Sequence, residues 1–251
     1  MILKIKSCSA KGIRRNAVIA MVHNLILGAF TMVGSGVDNW VDGREQRRYT
    51  PYHIRHRTEV AGMMTILHGD NRFYNNIFVQ GHPITNEEPK ESPFHQQVGT
   101  HVWDEYPAYK EWIAKFDMEE EKPDMGKLEP AHFSHLPVWA DGNVYLAGAK
   151  AWKKEKHNLV KDDADVQIEL VEEDGQYRLS TNLYDYLDGF TTEIINSDVL
   201  GKAFEPEQRF EERDGSDIVF QSDYLGNHRG VSTIPGPFAD VKELDEVIWI
   251  D

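Results

Sequence analysis

A mainly β fold, in which coils of a parallel β-helix are followed by an antiparallel β appendage with one short flanking helix, is predicted by three features of this sequence. Thr65-Ile-Leu-His-Gly-Asp-Asn-Arg-Phe-Tyr-Asn-Asn-Ile-Phe-Val79 places a short apolar strand on each side of a polar corner marked by asparagine. An asparagine ahead of a short apolar run recurs at His23-Asn24-Leu25-Ile26, and asparagine can take a left-handed corner while its amide bonds neighbouring peptide groups. The third feature is a hairpin: Asp165-Val-Gln-Ile-Glu-Leu-Val171 alternates, Asp174-Gly175 supplies a positive-φ turn, and Gln176-Tyr-Arg-Leu-Ser180 returns. Stacked coils of roughly 20–25 residues leave only short strands between turns, and hairpins imply antiparallel pairing downstream of them.

Met1-Ile-Leu-Lys-Ile-Lys6 begins directly in strand-like alternation with no capping helix before it. The expectation is an exposed first coil through which the chain self-associates, in a chain that starts in the middle of a longer solenoid. Residues 16–33 read as consecutive buried strands broken at Asn24 and Gly28, with a single buried helix as the rival. A polar excursion at about 36–57 follows; Tyr49 to His56 carries side chains able to pack, unlike a disordered linker. Pro83, Pro89, Pro93 and Pro107 mark irregular connection, and Tyr109, Trp112, Ile113 and Phe116 have helical spacing. Residues 208–221 around Asp214-Gly215 read as a second hairpin, ahead of a closing strand Val247-Ile-Trp-Ile250. The division expected is therefore 1–100 for the coils, 101–160 for an irregular or helical connection, and 161–251 for antiparallel β structure that covers the C-terminal edge of the coils.

Charge narrows the partners. With 27 basic and 42 acidic residues the net charge is −15, which repels nucleic acid. The one cysteine, Cys8, cannot form an internal disulfide, and the apolar runs near the N-terminus are broken by His23 and Asn24. Neither a signal peptide nor a membrane span is read, and a cytoplasmic location is expected.

The densest collection of convergent polar groups comprises Asp70 and Arg72 in the corner with His53, His56, Glu59 and His68. Asp70 and Arg72 read equally well as an ion pair that stabilises the corner, and the two histidines as packing for their own loop. Retaining glycosidases need two carboxyl groups about 5–5.5 Å apart, and adjacent coils stack about 4.8 Å apart. Asp38 and Glu59, 21 positions apart, are therefore a candidate nucleophile and acid/base pair. His53-Ile-Arg-His56 and His132-Phe-Ser-His135 lack the further ligands of a metal site, and no phosphate-binding glycine loop is present. No metal and no cofactor is expected.

Val22 to Thr31, Arg48-Tyr-Thr-Pro-Tyr-His-Ile-Arg-His-Arg-Thr-Glu59 and Leu67 to Val79 resemble the later coils of glycoside hydrolase family 120, with Asp223-Tyr-Leu-Gly-Asn-His-Arg229 and Gly236-Pro-Phe238 resembling a closing segment. The resemblance implies a right-handed parallel β-helix and a retaining, metal-free β-xylosidase acting on xylo-oligosaccharides. The family's nucleophile and acid/base motifs find no match, so the resemblance implies the C-terminal portion of such an enzyme, inactive alone. His53, His56, Glu59, His68, Asp70 and Arg72 would then form one wall of a sugar subsite. A self-sufficient glycosidase using Asp38 and Glu59, and a non-catalytic carbohydrate-binding or interaction module, are the alternatives.

Overall fold

Asn24-Leu25-Ile26 and Asn76-Ile77-Phe78-Val79 repeat one short pattern, and in the structure they lie in register. The structure is a computed structural model and describes residues 19–30, 69–81, 96–116, 134–173, 176–203, 209–212, 214–239 and 244–250. The strand-like start within 1–18, the excursion at 36–57 and the turn Asp174-Gly175 lie outside the described residues. Strands β1 (Ile19–Val22), β3 (Asn71–Tyr74) and β5 (Val138–Asp141) form one parallel sheet. Strands β2 (Leu25–Ile26), β4 (Ile77–Val79), β6 (Asn143–Leu146) and β7 (Asn158–Lys161) form a second. The pairs β1/β2, β3/β4 and β5/β6 each contribute one strand to each sheet and β7 extends only the second, and the rival of a single buried helix at 16–33 is excluded for its described part.

The strands are short because a corner interrupts each pair. His23, Asn75 and Gly142 have φ of 56°, 56° and 70°, and each precedes a corner asparagine: Asn24, Asn76 and Asn143. This corrects the expectation that the recurring asparagine itself takes the left-handed position. Its predecessor turns the chain, which frees the asparagine amide to reach along the stack. A Cβ at Gly142 would lie 2.3 Å from Asn75 Oδ1 and 2.8 Å from Thr192 Cγ2, so only glycine fits there.

Both faces of these sheets are covered, which explains the unbroken apolar runs. Phe73, Phe78 and Tyr145 face the space between the sheets with Ile26, Phe30, Val98, Trp103 and Trp152. Phe78 and Tyr145, paired in register, stack at 5.1 Å with planes 4° apart. Ile77, Val79, Val144 and Leu146 face the other way, against Ala164, Leu183 and Leu187. On the first sheet Val22 and Tyr74 face Ile195, Leu200, Phe210 and Phe220. Residues downstream of the strands therefore pack against both outer surfaces.

That downstream segment follows its sequence reading in part. Strands β8 (Ile168–Glu173) and β9 (Gln176–Thr181) form the antiparallel pair expected, and β12 (Leu244–Ile250) adds to β9. Of the second hairpin read at 208–221, the described residues pair only beside the turn, where Glu211 bridges Asp217 antiparallel and the Glu212 N–H donates to the Ser216 carbonyl at 2.8 Å; Arg209 and Val219 bridge Lys202 and Asn196 instead. Phe210 and Phe220 pack on the outer face of the parallel sheet, and pairing between the arms stays short. A minor antiparallel pair joins β10 (Thr192–Glu193) to β11 (Ser232–Thr233).

Residues 101–160, read as irregular or helical connection, contain 3-10 helix His101–Trp103, helix α1 (Tyr109–Ile113) and also the parallel strands β5, β6 and β7. Trp112 is the buried anchor of α1, and the Glu111 carboxylate accepts the Ala108 N–H at 3.0 Å. Helix α2 (Ser197–Leu200) starts where Asn196 Oδ1 accepts from the amides of Asp198 and Val199, each at 3.0 Å.

Candidate functional site

Two polar constructions occupy the parallel sheets, and both are buried apart from the half-buried Asn24. The first is a ladder built from the corner asparagines. Asn24 donates from its backbone N–H and its Nδ2 to Asn76 Oδ1, at 3.0 and 2.9 Å. Asn76 repeats the fork onto Asn143 Oδ1, both bonds at 2.9 Å. Asn143 repeats it once more, onto Glu155 Oε1 at 3.2 and 2.7 Å. The other Nδ2 hydrogen donates to a main-chain carbonyl each time: Val22 from Asn24, Met21 from Asn76, Phe73 from Asn143. Every link points the same way, so the amide dipoles converge on one carboxyl group.

Glu155 stands where a fourth corner would supply an amide oxygen. Asn158 is the residue in register with Asn143, yet its Nδ2 turns back to the Glu155 carbonyl at 3.3 Å. The second carboxyl oxygen of Glu155 accepts from Tyr145 Oη at 2.6 Å; Tyr145 Oη lies 2.7 Å from Thr100 Oγ1, which accepts the Trp152 N–H at 2.8 Å. Burial pushes the Glu155 carboxyl up from 4.5 to about 7, against the pull of the Tyr145 and Asn143 bonds. Burial also raises the Tyr145 hydroxyl well above its ordinary value.

The second construction is a clamp around Arg72. Arg72 donates from Nη1 to the Asp70 carboxylate at 2.7 Å and to the Asp70 carbonyl at 2.9 Å. Its Nε and Nη2 donate to the carbonyls of Leu200 and Lys202, each at 2.6 Å. Trp139 and Phe210 lie against the guanidinium at 4.3 and 4.8 Å. Arg72 is 2 % exposed and Asp70 1 %, so this pair fastens the corner to the segment after α2 and faces protein on the described sides. Asp70 holds φ 57°, a conformation that aspartate tolerates better than most residues.

Of the residues singled out in the sequence, Asp70 and Arg72 are thus brought together. Asp38, His53, His56, Glu59 and His68 lie outside the described residues. Sequence reasoning missed Asn143, Glu155 and Tyr145. Asn143 carried the same signal as Asn24 and Asn76, an asparagine before the apolar run Val144-Tyr-Leu146, whereas nothing local marks Glu155. Among the described residues no group of three or more His, Cys, Asp or Glu could hold a metal ion, and no helix is long and apolar enough to cross a membrane.

No family model matches the chain, and no curated protein matches it. A solved structure described as the complex structure of XylC with xylose is similar: the identity is 30% and the TM-score 0.64, over 92% of this chain and 34% of that one. The fold is XylC-like, mostly strands with parallel sheets, and the chain spans about a third of the length of the protein it matches.

Proposed function

We propose that this chain forms coils of a right-handed parallel β-helix in a β-xylosidase-like retaining glycoside hydrolase of the family-120 type, acting on xylo-oligosaccharides. The observation that carries this reading is the likeness to XylC, a protein solved with xylose, at 30% identity over 92% of this chain. The parallel register of β1 with β3 and β5, and of β2 with β4, β6 and β7, supports it, because short strands in two parallel sheets are what coils provide. In this reading His53, His56, Glu59 and His68 line one wall of a sugar subsite. Asp70 and Arg72 hold the corner beside His68 in place without touching the sugar. In this reading the chain is the C-terminal portion of such an enzyme and the two carboxylates of the retaining reaction are not among its residues.

Calorimetric titration of the purified chain with xylose and xylobiose, run beside an aryl β-xyloside assay, tests the proposal. Binding weakened by His68→Ala, with no turnover, is the expected result. Turnover abolished by Glu59→Gln would favour the self-sufficient enzyme using Asp38 and Glu59. Absence of both binding and turnover in a folded chain refutes a xylose subsite. Binding that His53, His56 and His68 substitutions all leave unchanged would point to a non-catalytic carbohydrate-binding module instead.

A further inference from the structure

The asparagine ladder has a direction, and its two ends differ. Each corner asparagine passes a fork of two donors, its N–H and its Nδ2, to an oxygen of the next member: Asn24 to Asn76, Asn76 to Asn143, Asn143 to Glu155. The Glu155 end is closed, because Asn158, in register with Asn143, turns its Nδ2 back to the Glu155 carbonyl. The Asn24 end is open. Asn24 Nδ2 donates to Asn76 and to the Val22 carbonyl, while Asn24 Oδ1 accepts from no donor among the described residues.

The strands beside Asn24 are open in the same sense. Among the described residues β1 and β2 pair on one side only, with β3 and β4. The His23 N–H donates to the Tyr74 carbonyl, so by the alternation of a parallel ladder the N–H groups of Ile19 and Met21 also face β3. Those of Ala20 and Val22 then face away, as an edge strand presents them. Burial marks the same edge: Asn71, Arg72 and Phe73 are buried, whereas Ile19, Ala20 and Met21, their partners in register, are half-buried. Asn76 and Asn143 are 0% exposed, whereas Asn24 is half-buried.

We propose that the β1–β2 edge is a docking surface for a strand–corner–strand segment of another polypeptide, which pairs parallel with β1 and β2 and donates the N–H and Nδ2 of its own corner asparagine to Asn24 Oδ1. The repeated fork specifies the occupant. It brings a strand, a residue that tolerates the left-handed conformation, an asparagine, and two apolar residues to lie beside Leu25 and Ile26, as Asn76-Ile77-Phe78 does on their other side. Main-chain pairing supplies affinity along the edge, and the asparagine fork sets the register.

A second copy of this chain does not meet that description. Stacked head to tail it would set its Glu155 end against Asn24 Oδ1, and that end presents no free donor fork. Within the chain, Asn16 is the one asparagine ahead of Asn24. Only Ala17 and Val18 separate it from β1, too few for a strand and a return, whereas successive ladder corners lie 52 and 67 positions apart. Asn39, followed by Trp40-Val41, is the one asparagine in 31–68 and is the rival within the chain.

The test titrates a labelled synthetic peptide of residues 69–81, which carries β3, the Asn75-Asn76 corner and β4, into the purified chain. Saturable binding below ~1 mM is expected, weakened about fivefold by Asn76→Ala in the peptide, which removes one neutral hydrogen bond. Ala20→Pro in the chain deletes an N–H that faces away from β3, leaves the β1–β3 ladder its own bonds, and should abolish binding. The peptide variant leaves the chain untouched, so the test stands even where Ala20→Pro fails to fold. Absence of saturable binding, equal binding of the two peptides, or binding that a folded Ala20→Pro chain retains overturns the proposal. A rise in peptide affinity on Asn39→Ala overturns it in favour of Asn39 as the occupant. Self-association in analytical ultracentrifugation that Ala20→Pro abolishes overturns it in favour of a second copy.

Discussion

Asn76 is the centre of the ladder, and its truncation to alanine tests whether the stack is held by amide pairing or by its apolar faces alone. The side chain is fully buried and makes four bonds: it accepts from Asn24 N and Nδ2, and it donates to the Met21 carbonyl and to Asn143 Oδ1, at 2.9 to 3.0 Å. Four bonds at about 1 kcal/mol each place the cost of Asn76→Ala near 4 kcal/mol, before any cavity contribution. Two effects separate from each other here. Asn143 Oδ1 retains the Asn76 backbone N–H, whereas Asn24 N loses the oxygen it points at. Urea unfolding followed by far-UV circular dichroism reads the cost, and the midpoint should drop by more than about 1 M for a slope near 3 kcal/mol/M. In the double variant Asn76→Ala/Asn143→Ala the two costs should fall short of additivity by about 1–2 kcal/mol, because the residues share one link. A loss below about 1 kcal/mol for Asn76→Ala, or strict additivity, would refute the ladder as a source of stability.

Two other perturbations follow from the same contacts. Arg72→Met removes the cation of a pair that is almost completely buried and should cost about 3–5 kcal/mol in thermal unfolding, with Arg72→Lys restoring little because lysine cannot reach Asp70, Leu200 and Lys202 together; full stability of the methionine variant would remove the clamp from the account. His23 is held neutral by burial, lowered from 6.5 to about 3, so its folded form binds fewer protons and stability falls as pH drops below about 6.5. At pH 5 this loss is about 2 kcal/mol. His23→Asn, which tolerates the left-handed φ of 56°, should flatten the acid limb of the stability curve, and an unchanged limb assigns it to other groups.

Local pattern made part of this protein legible. An asparagine before two or three apolar residues named the corners at Asn24 and Asn76, and alternation on both sides of Asp174-Gly175 named the β8–β9 pair. The same rules read 208–221 as a hairpin, because Asp214-Gly215 and the flanking alternation satisfy every local requirement for one. The structure keeps that pairing next to the turn, at Glu211↔Asp217, while Phe210 packs beside Arg72 and Phe220 with Val22 and Tyr74 on the outer face of the parallel sheet. Strands β5 to β7 went unread for a related cause: the prolines at 83, 89, 93 and 107 were read as marking a connection, and coils of roughly 20–25 residues were expected.

By itself the sequence determined the strand-rich character, the corner asparagines and the net charge of −15, since each depends on neighbours a few positions away or on composition. Only the tertiary structure decided that Asn143 continues the ladder, that Glu155 ends it in place of Asn158, and that Arg72 bonds carbonyls 128 and 130 positions along the chain. The physical reason is that a buried polar group takes whichever partner the packing brings within reach. Between parallel strands that partner comes from a distant part of the chain, at a separation that the length of the intervening segment sets and that no local pattern records.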